Sequence, residues 1–164
     1  MDTLKKKFYE KSSALKVEIK SLLKEHSELM VDDVNLGQIY GGARDIKMMV
    51  WETSELDAME GIRFRNMSIP ELKAQLPKGK DGKEPLPEAL FWLMLVGEVP
   101  TQAEADWLTA EWRKRSAVPA HVFTTLDSLP ANTHAMTQFS IAINAMQTES
   151  VFAARYDEGM PKDE

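Results

Sequence analysis

From residue 68 onward the chain carries one helix-start signal after another, and this punctuation constrains its fold more than any other feature. In "SIPE" Ser68 stands three residues before Glu71, the spacing of a capping box, with Pro70 in the first turn where its missing N–H costs little. "LPEALFWLMLVG" opens with Pro87 in a first turn and stops near Gly97. Its apolar residues run nearly all round, which predicts a buried helix. "TQAE" (101–104) is a second capping box, opening a helix through about Arg115 that carries Trp107, Leu108 and Trp112. Pro119 starts a short helix with Val122, Phe123, Leu126 and Leu129 along one side. Asn132 or Thr133 then stands where it would cap a helix from near Ala135 through Met146.

The first third is less regular. Over residues 4–29, Leu4, Phe8, Leu15, Ile19 and Leu22 recur at helical steps, with His26 continuing the stripe and lysines mainly on other faces. "GQIYGGAR" (37–44) breaks the pattern with three glycines and predicts a turn or irregular connection. It is not a phosphate loop, because no Lys-Ser or Lys-Thr follows at the spacing that motif needs. "MMVWETS" (48–54) and "GIRFR" (61–65) predict two strands of a small hairpin, Ile62 and Phe64 alternating with Arg63 and Arg65 as on a sheet with one wet face.

Totals exclude several functions. The chain has 164 residues, 28% charged and 43% hydrophobic, the balance of a globular domain. No cysteine is present, which removes disulfides, thiolate zinc sites, iron–sulfur clusters and a cysteine nucleophile. A net charge of −6 argues against a general nucleic-acid binder. No apolar run approaches the roughly 18 residues of a membrane span. The start, "MDTLKKKFYEK", has neither the apolar stretch of a secretory signal nor the composition of a mitochondrial presequence.

Catalytic candidates assemble poorly. Carboxylate pairs such as Asp57 with Glu60, or Asp157 with Glu158, sit in loop or helix-end settings where solvated charge is the default. His26, His121 and His134 share no ligand spacing, so no metal site is expected. Arg44 and Lys47 near the glycine turn, or Lys78, Lys80 and Lys83 in the charged loop "KGKDGKEP", have the chemistry to hold an anion, though a solvated face is the commoner outcome. In the helix after His134, the small residues Ser140, Ala142 and Ala145 lie among Phe139, Ile141, Ile143 and Met146, a pattern that lets a second helix approach closely.

The stretches "YGGARD", "VWETSELDAMEGIRFRNMSIPEL", "EPLPEALFWLMLVGEVPT", "EWRKRSAVPAHV", "LDSLPANTHAMTQFSIAINAMQTES" and "FAARYDEG" lie within residues 37–159. In that order and spacing they resemble the citrate synthase family, in its long, mitochondrial-type form. Two departures are visible: Ala135 stands where the family usually has proline, and Asp45 where glycine is common. The resemblance implies a mainly α, multi-helical large domain with a small β-hairpin near residues 48–65, of which residues 1–164 are an N-terminal portion lacking the small domain and the catalytic half. It implies an acyltransferase that condenses acetyl-CoA with oxaloacetate and water to give citrate and CoA, with no permanently bound cofactor, working as a homodimer in the mitochondrial matrix.

By the same resemblance, the aspartate and histidines of that chemistry lie beyond the position matching Glu164. Catalytic residues are therefore none here, and the chain alone is expected to be inactive. Two coenzyme contacts are implied, Arg44 in the "YGGAR" segment and Lys162 after "EG". His134 becomes a structural residue whose imidazole fixes the turn before a dimer-forming helix near 136–148. Uncovered helix faces would make the chain alone aggregate or turn partly molten. The alternative is a stand-alone, non-catalytic helical interaction protein built on the same scaffold.

Overall fold

The computed structural model describes residues 2–43, 46–50, 53–57 and 59–161. The described residues are mainly α-helical with a small three-stranded sheet, and they divide into two compact units, the first ending at Trp112 and the second starting at Arg113.

The first unit opens with α1 (Asp2–His26) and the five-residue α2 (Leu36–Tyr40). The stripe expected along α1 is only partly used. Leu4 packs against buried residues, whereas Leu15, Ile19 and Leu22 are 36%, 41% and 57% exposed. His26 is also exposed, beside Glu25 at 4.0 Å. Of the expected stripe only Leu4 is packed; Phe8 is 45% exposed, and no layer among the described residues buries the rest of that face.

The sheet follows as β1 (Ser54–Asp57), β2 (Gly61–Phe64) and β3 (Met67–Ser68), all antiparallel in the order β1-β2-β3. The hairpin expected near residues 48–65 is present as β1–β2, with its first strand later than expected and a third strand added. Residues 46–50 form no strand, Trp51 and Glu52 lie outside the described residues, and β1 begins where the expected strand was to end. The turn decides the register. The Asp57 carboxylate accepts the N–H groups of Met59 at 2.7 Å and Glu60 at 2.8 Å, and Gly61 takes φ +87°, so pairing starts at Asp57↔Gly61 and runs back to Ser54↔Phe64. The short β2 leaves the Met48–Met49–Val50 run without a partner. The expected wet face is also absent, since all four residues of β2 are half-buried. Arg63 covers its own face by donating to Glu60 at 2.6 and 3.0 Å and to the Asn66 carbonyl at 2.9 Å.

A second turn, Arg65–Asn66, links β2 to β3 with both residues at positive φ (+48° and +66°), the geometry of the tight turns that match strand twist. Arginine is an unusual occupant. Its guanidinium is anchored on the Met94 carbonyl at 3.1 and 2.6 Å, satisfying an acceptor in the last turn of the next-but-one helix.

That helix belongs to the core. α3 (Ile69–Gln75), α4 (Pro87–Val96) and α5 (Gln102–Lys114) begin where the capping signals place them. Glu71 accepts from the Ser68 N–H at 2.7 Å and hydroxyl at 2.6 Å; Glu104 accepts from the Thr101 N–H at 2.8 Å and hydroxyl at 3.0 Å. Gly97 ends α4 at φ +80°. Leu72, Leu76, Ala89, Leu93 and Ala105 form one buried cluster, with Phe64 and Met67 of the sheet against it. Trp92, Val96 and Leu108 form a second, joined by Leu4 of α1. Buried alanines at 89 and 105 leave no side chain to hold helices apart. The burial expected of α4 is met fully at Ala89, Trp92, Leu93 and Val96 and only partly at Leu90, Met94 and Leu95, while Phe91, 40% exposed, meets Trp112 edge-on at 5.2 Å.

The second unit contains α6 (Ala120–Asp127), α7 (Ala135–Ala145), a single 3-10 turn (Met146–Glu149) and α8 (Val151–Asp157). α6 packs on α7, and Val122 is 1% exposed. Of the expected α6 face, Leu126 and Leu129 are half-buried while Phe123 is exposed. No residue of α7 is buried.

Candidate functional site

The two implied coenzyme contacts, Arg44 and Lys162, lie outside the described residues. The segments leading into them share one construction. Ahead of Arg44, Asn35 and Gln38 form a reciprocal box: Gln38 N–H to Asn35 Oδ1 at 2.9 Å, and Asn35 N–H to Gln38 Oε1 at 3.0 Å. The box opens α2, a helix where the glycines had predicted an irregular connection. The N-x-x-Q spacing was a signal for it. α2 then closes on Gly42 at φ +77°, with Ala43 N–H on the Gln38 carbonyl at 2.9 Å and Gly42 N–H on that of Ile39 at 3.2 Å.

Ahead of Lys162 the same closure recurs. Gly159 takes φ +92°, Met160 N–H reaches the Arg155 carbonyl at 3.0 Å and Gly159 N–H that of Tyr156 at 3.0 Å. Both are six-to-one helix closures that require a left-handed residue, which glycine supplies without strain. In the sequence Arg44 and Lys162 follow these closing glycines by two and three residues. Of the other anion candidates, Lys47, Lys80 and Lys83 are exposed and Lys78 is half-buried.

None of the histidines has the surroundings of a catalyst. His121 Nε2 lies 2.9 Å from the Ala145 carbonyl, which only accepts, so Nε2 carries the proton and ties α6 to the end of α7. His134 is the N-cap of α7: its Nδ1 accepts the Met136 N–H at 3.2 Å. This corrects the expected cap at Asn132 or Thr133, whose local bonding goes elsewhere. Thr133 donates both its N–H and its hydroxyl to the Pro130 carbonyl, at 2.9 and 2.7 Å. The imidazole does fix the turn, as an acceptor. With the cap in place, α7 starts at Ala135 without the proline the family usually has there.

The carboxylates are engaged in structure. The Glu60 and Met59 backbone N–H groups hold the Asp57 carboxyl below its ordinary range. Ser68, through its side chain and backbone, does the same for Glu71, and Lys11 does so for Glu98. For Glu104 burial pushes upward, yet the Lys7 ammonium and the Thr101 donors outweigh it and the net shift is down. Glu158 pairs with Arg155 at 3.6 Å. Among the described residues no group of three or more His, Cys, Asp or Glu side chains comes together as a metal site. Among the described residues no helix is long and apolar enough to cross a membrane. What the described residues supply is a helical scaffold.

Comparison with known proteins agrees with the scaffold. Residues 42–163 match the family model described as "Citrate synthase, C-terminal domain". The chain is 51% identical over 162 residues to the mitochondrial citrate synthase of Saccharomyces cerevisiae, covering 99% of this chain and 34% of that protein. It is 50% identical over 162 residues to the Neurospora crassa enzyme, with the same coverage, and 49% identical over 144 residues to that of Xiphias gladius, covering 88% and 31%. It therefore spans about a third of the length of the curated relatives it matches. These matches do not favour the alternative of a stand-alone, non-catalytic interaction protein on the same scaffold, and the family match over most of the chain shows that the chain belongs to the citrate synthase family.

Proposed function

We propose that this chain is the N-terminal part of the large helical domain of a citrate synthase, the enzyme that joins acetyl-CoA to oxaloacetate and releases citrate and CoA. The observation that carries the reading is the match across residues 42–163 at about half identity to mitochondrial citrate synthases. The relatives' names support a place in the mitochondrial matrix. In this reading the chain contributes architecture and coenzyme contacts, with acetyl-CoA as substrate and no resident cofactor. The proton-transfer residues belong to a later part of the enzyme. The order of the motifs, from glycine turn through hairpin to α8, supports the N-terminal position.

Arg44 and Lys162 hold the coenzyme's phosphates. The arginine fork suits bidentate contact, whereas a lysine supplies only a mobile point charge. Asp45 beside Arg44 weakens the field that the anion meets. The apolar helix near 136–148 packs against a second copy in a homodimer.

Two measurements test the reading. The purified 164-residue chain given acetyl-CoA and oxaloacetate should form no citrate above background; turnover would overturn the assignment of catalysis to a later segment. In a longer product containing this segment, Arg44→Ala should raise KM for acetyl-CoA by about tenfold with kcat little changed, the pattern of lost uniform binding. An unchanged KM would remove Arg44 from the coenzyme site.

A further inference from the structure

We propose that α1 is a charge-latched strap over the Trp92 cluster, opened by ionic strength or by neutralisation of Lys7 and Lys11. Leu4, Lys7 and Lys11 recur on one face of α1 at steps of three and four. Leu4 packs against Trp92, Val96 and Leu108. Lys7 Nζ reaches Glu104 Oε1 at 2.5 Å and lies 5.5 Å from the centre of the Trp92 ring, so one ammonium serves both an ion pair and a cation–π contact. One turn on, Lys11 pairs with Glu98 in the loop between α4 and α5. Residues 14–26 of α1 are exposed throughout.

Three properties make this seat easy to open. Among the described residues, Leu4 is the one apolar α1 side chain packed against the buried Trp92 cluster. Salt reaches the strap's ion pairs unequally: Lys11 and Glu98 are 55% and 53% exposed and hold each other weakly, whereas Lys7 is 38% exposed and its partner Glu104 17%. Beneath it, the Trp92 indole N–H is buried without a hydrogen-bond partner among the described residues, so lifting the strap gives that donor water and offsets part of the cost. Glu104 keeps its bonds to Thr101 when Lys7 leaves, so α5 stays capped and the core beneath remains folded. Opening uncovers the Trp92 face without unfolding α3–α5. This inference stands independently of the proposed enzymatic role.

Hydrogen–deuterium exchange on the 164-residue chain, read by mass spectrometry, tests it. Raising sodium chloride from about 20 mM to about 0.5 M should speed exchange in residues 4–13 at least about fivefold, while α4 peptides change less than about twofold. Lys7→Gln with Lys11→Gln should show the fast exchange already at low salt, and the corresponding arginine pair should restore protection. Should the glutamine variant fail to fold, the salt series on the unsubstituted chain decides alone. Exchange in α1 that ignores salt, or that rises in step with α4, overturns the strap.

Discussion

The two units bury apolar residues very differently. In α3–α5, Ala89, Trp92 and Ala105 are fully buried and Leu93 is 2% exposed. In α6–α8 only Val122 is sealed, while Met136, Phe139, Ile143, Val151, Phe152 and Tyr156 stay open to solvent. Both stretches contain apolar helices, α4 in the first and α6 and α7 in the second. The first closes a core from its own segments, since α4, apolar on nearly every side, is covered by α1, α3, α5 and the sheet. The second has one apolar side more than its own helices cover. A helix with good propensity and capping forms, but only a facing layer converts its apolar stripe into stability.

The largest expected effect separates the units by substitution. Trp92→Ala should lower unfolding free energy by about 3–5 kcal/mol in urea denaturation, because a fully buried indole leaves a cavity. Phe139→Ala, at an exposed position, should change it by less than about 0.5 kcal/mol. Equal costs would mean that α7 is covered as well as α4 in solution.

The next test concerns what covers the open faces. Sedimentation of the unsubstituted chain at micromolar concentration should show self-association, which Phe139→Glu combined with Phe152→Glu should reduce. A monomer that melts cooperatively without either change would contradict the reading of these faces as incomplete.

Acid should act on the first unit in particular. Asp57, Glu71, Glu98 and Glu104 have carboxyls held below their ordinary values. A depressed folded-state pKa stabilises above the unfolded-state value and is lost as pH falls through the folded one. Stability should thus drop on acidification below the ordinary carboxylate range. Lys7, raised by its hydrogen bond to Glu104, contributes below the ordinary lysine value and loses that contribution as alkaline pH passes its folded one. A pH series on Glu104→Gln should show a flatter acid limb; an unchanged limb would remove the Lys7–Glu104 pair from the account.

Caps should give the smallest effects. Ser68→Ala and His134→Ala should each cost about 0.5–2 kcal/mol, read as lost helix and lower Tm. The histidine change should loosen α7 alone, visible as faster amide exchange near residues 136–138.

How much was legible follows from the range of each interaction. The boxes at Ser68–Glu71 and Thr101–Glu104 close within one turn, so their residues alone announced them. The box at Asn35–Gln38 had the same form but was masked by the glycines that follow. The β1 register depended on a side chain, Asp57, bonding its own turn, which outweighed the apolar Met48–Val50 run. At α7 the sequence offered Asn132 and Thr133 as caps, and His134 serves instead. Which one served was decided by where each donor and acceptor found a partner, and Thr133 found Pro130 first. The coenzyme candidates came only through the family resemblance, because a single cation after a glycine turn has no chemistry of its own that singles it out.

By itself the sequence determined that the chain is mainly helical, where most helices start and stop, and which family it belongs to, because caps, glycines and family motifs act locally or as an ordered string. Tertiary structure decided which apolar faces become core and which stay open. It also decided that Arg65 turns back onto Met94 and that Lys7 settles over Trp92. Those outcomes join residues far apart in the chain, and periodicity names a face without naming what will lie against it.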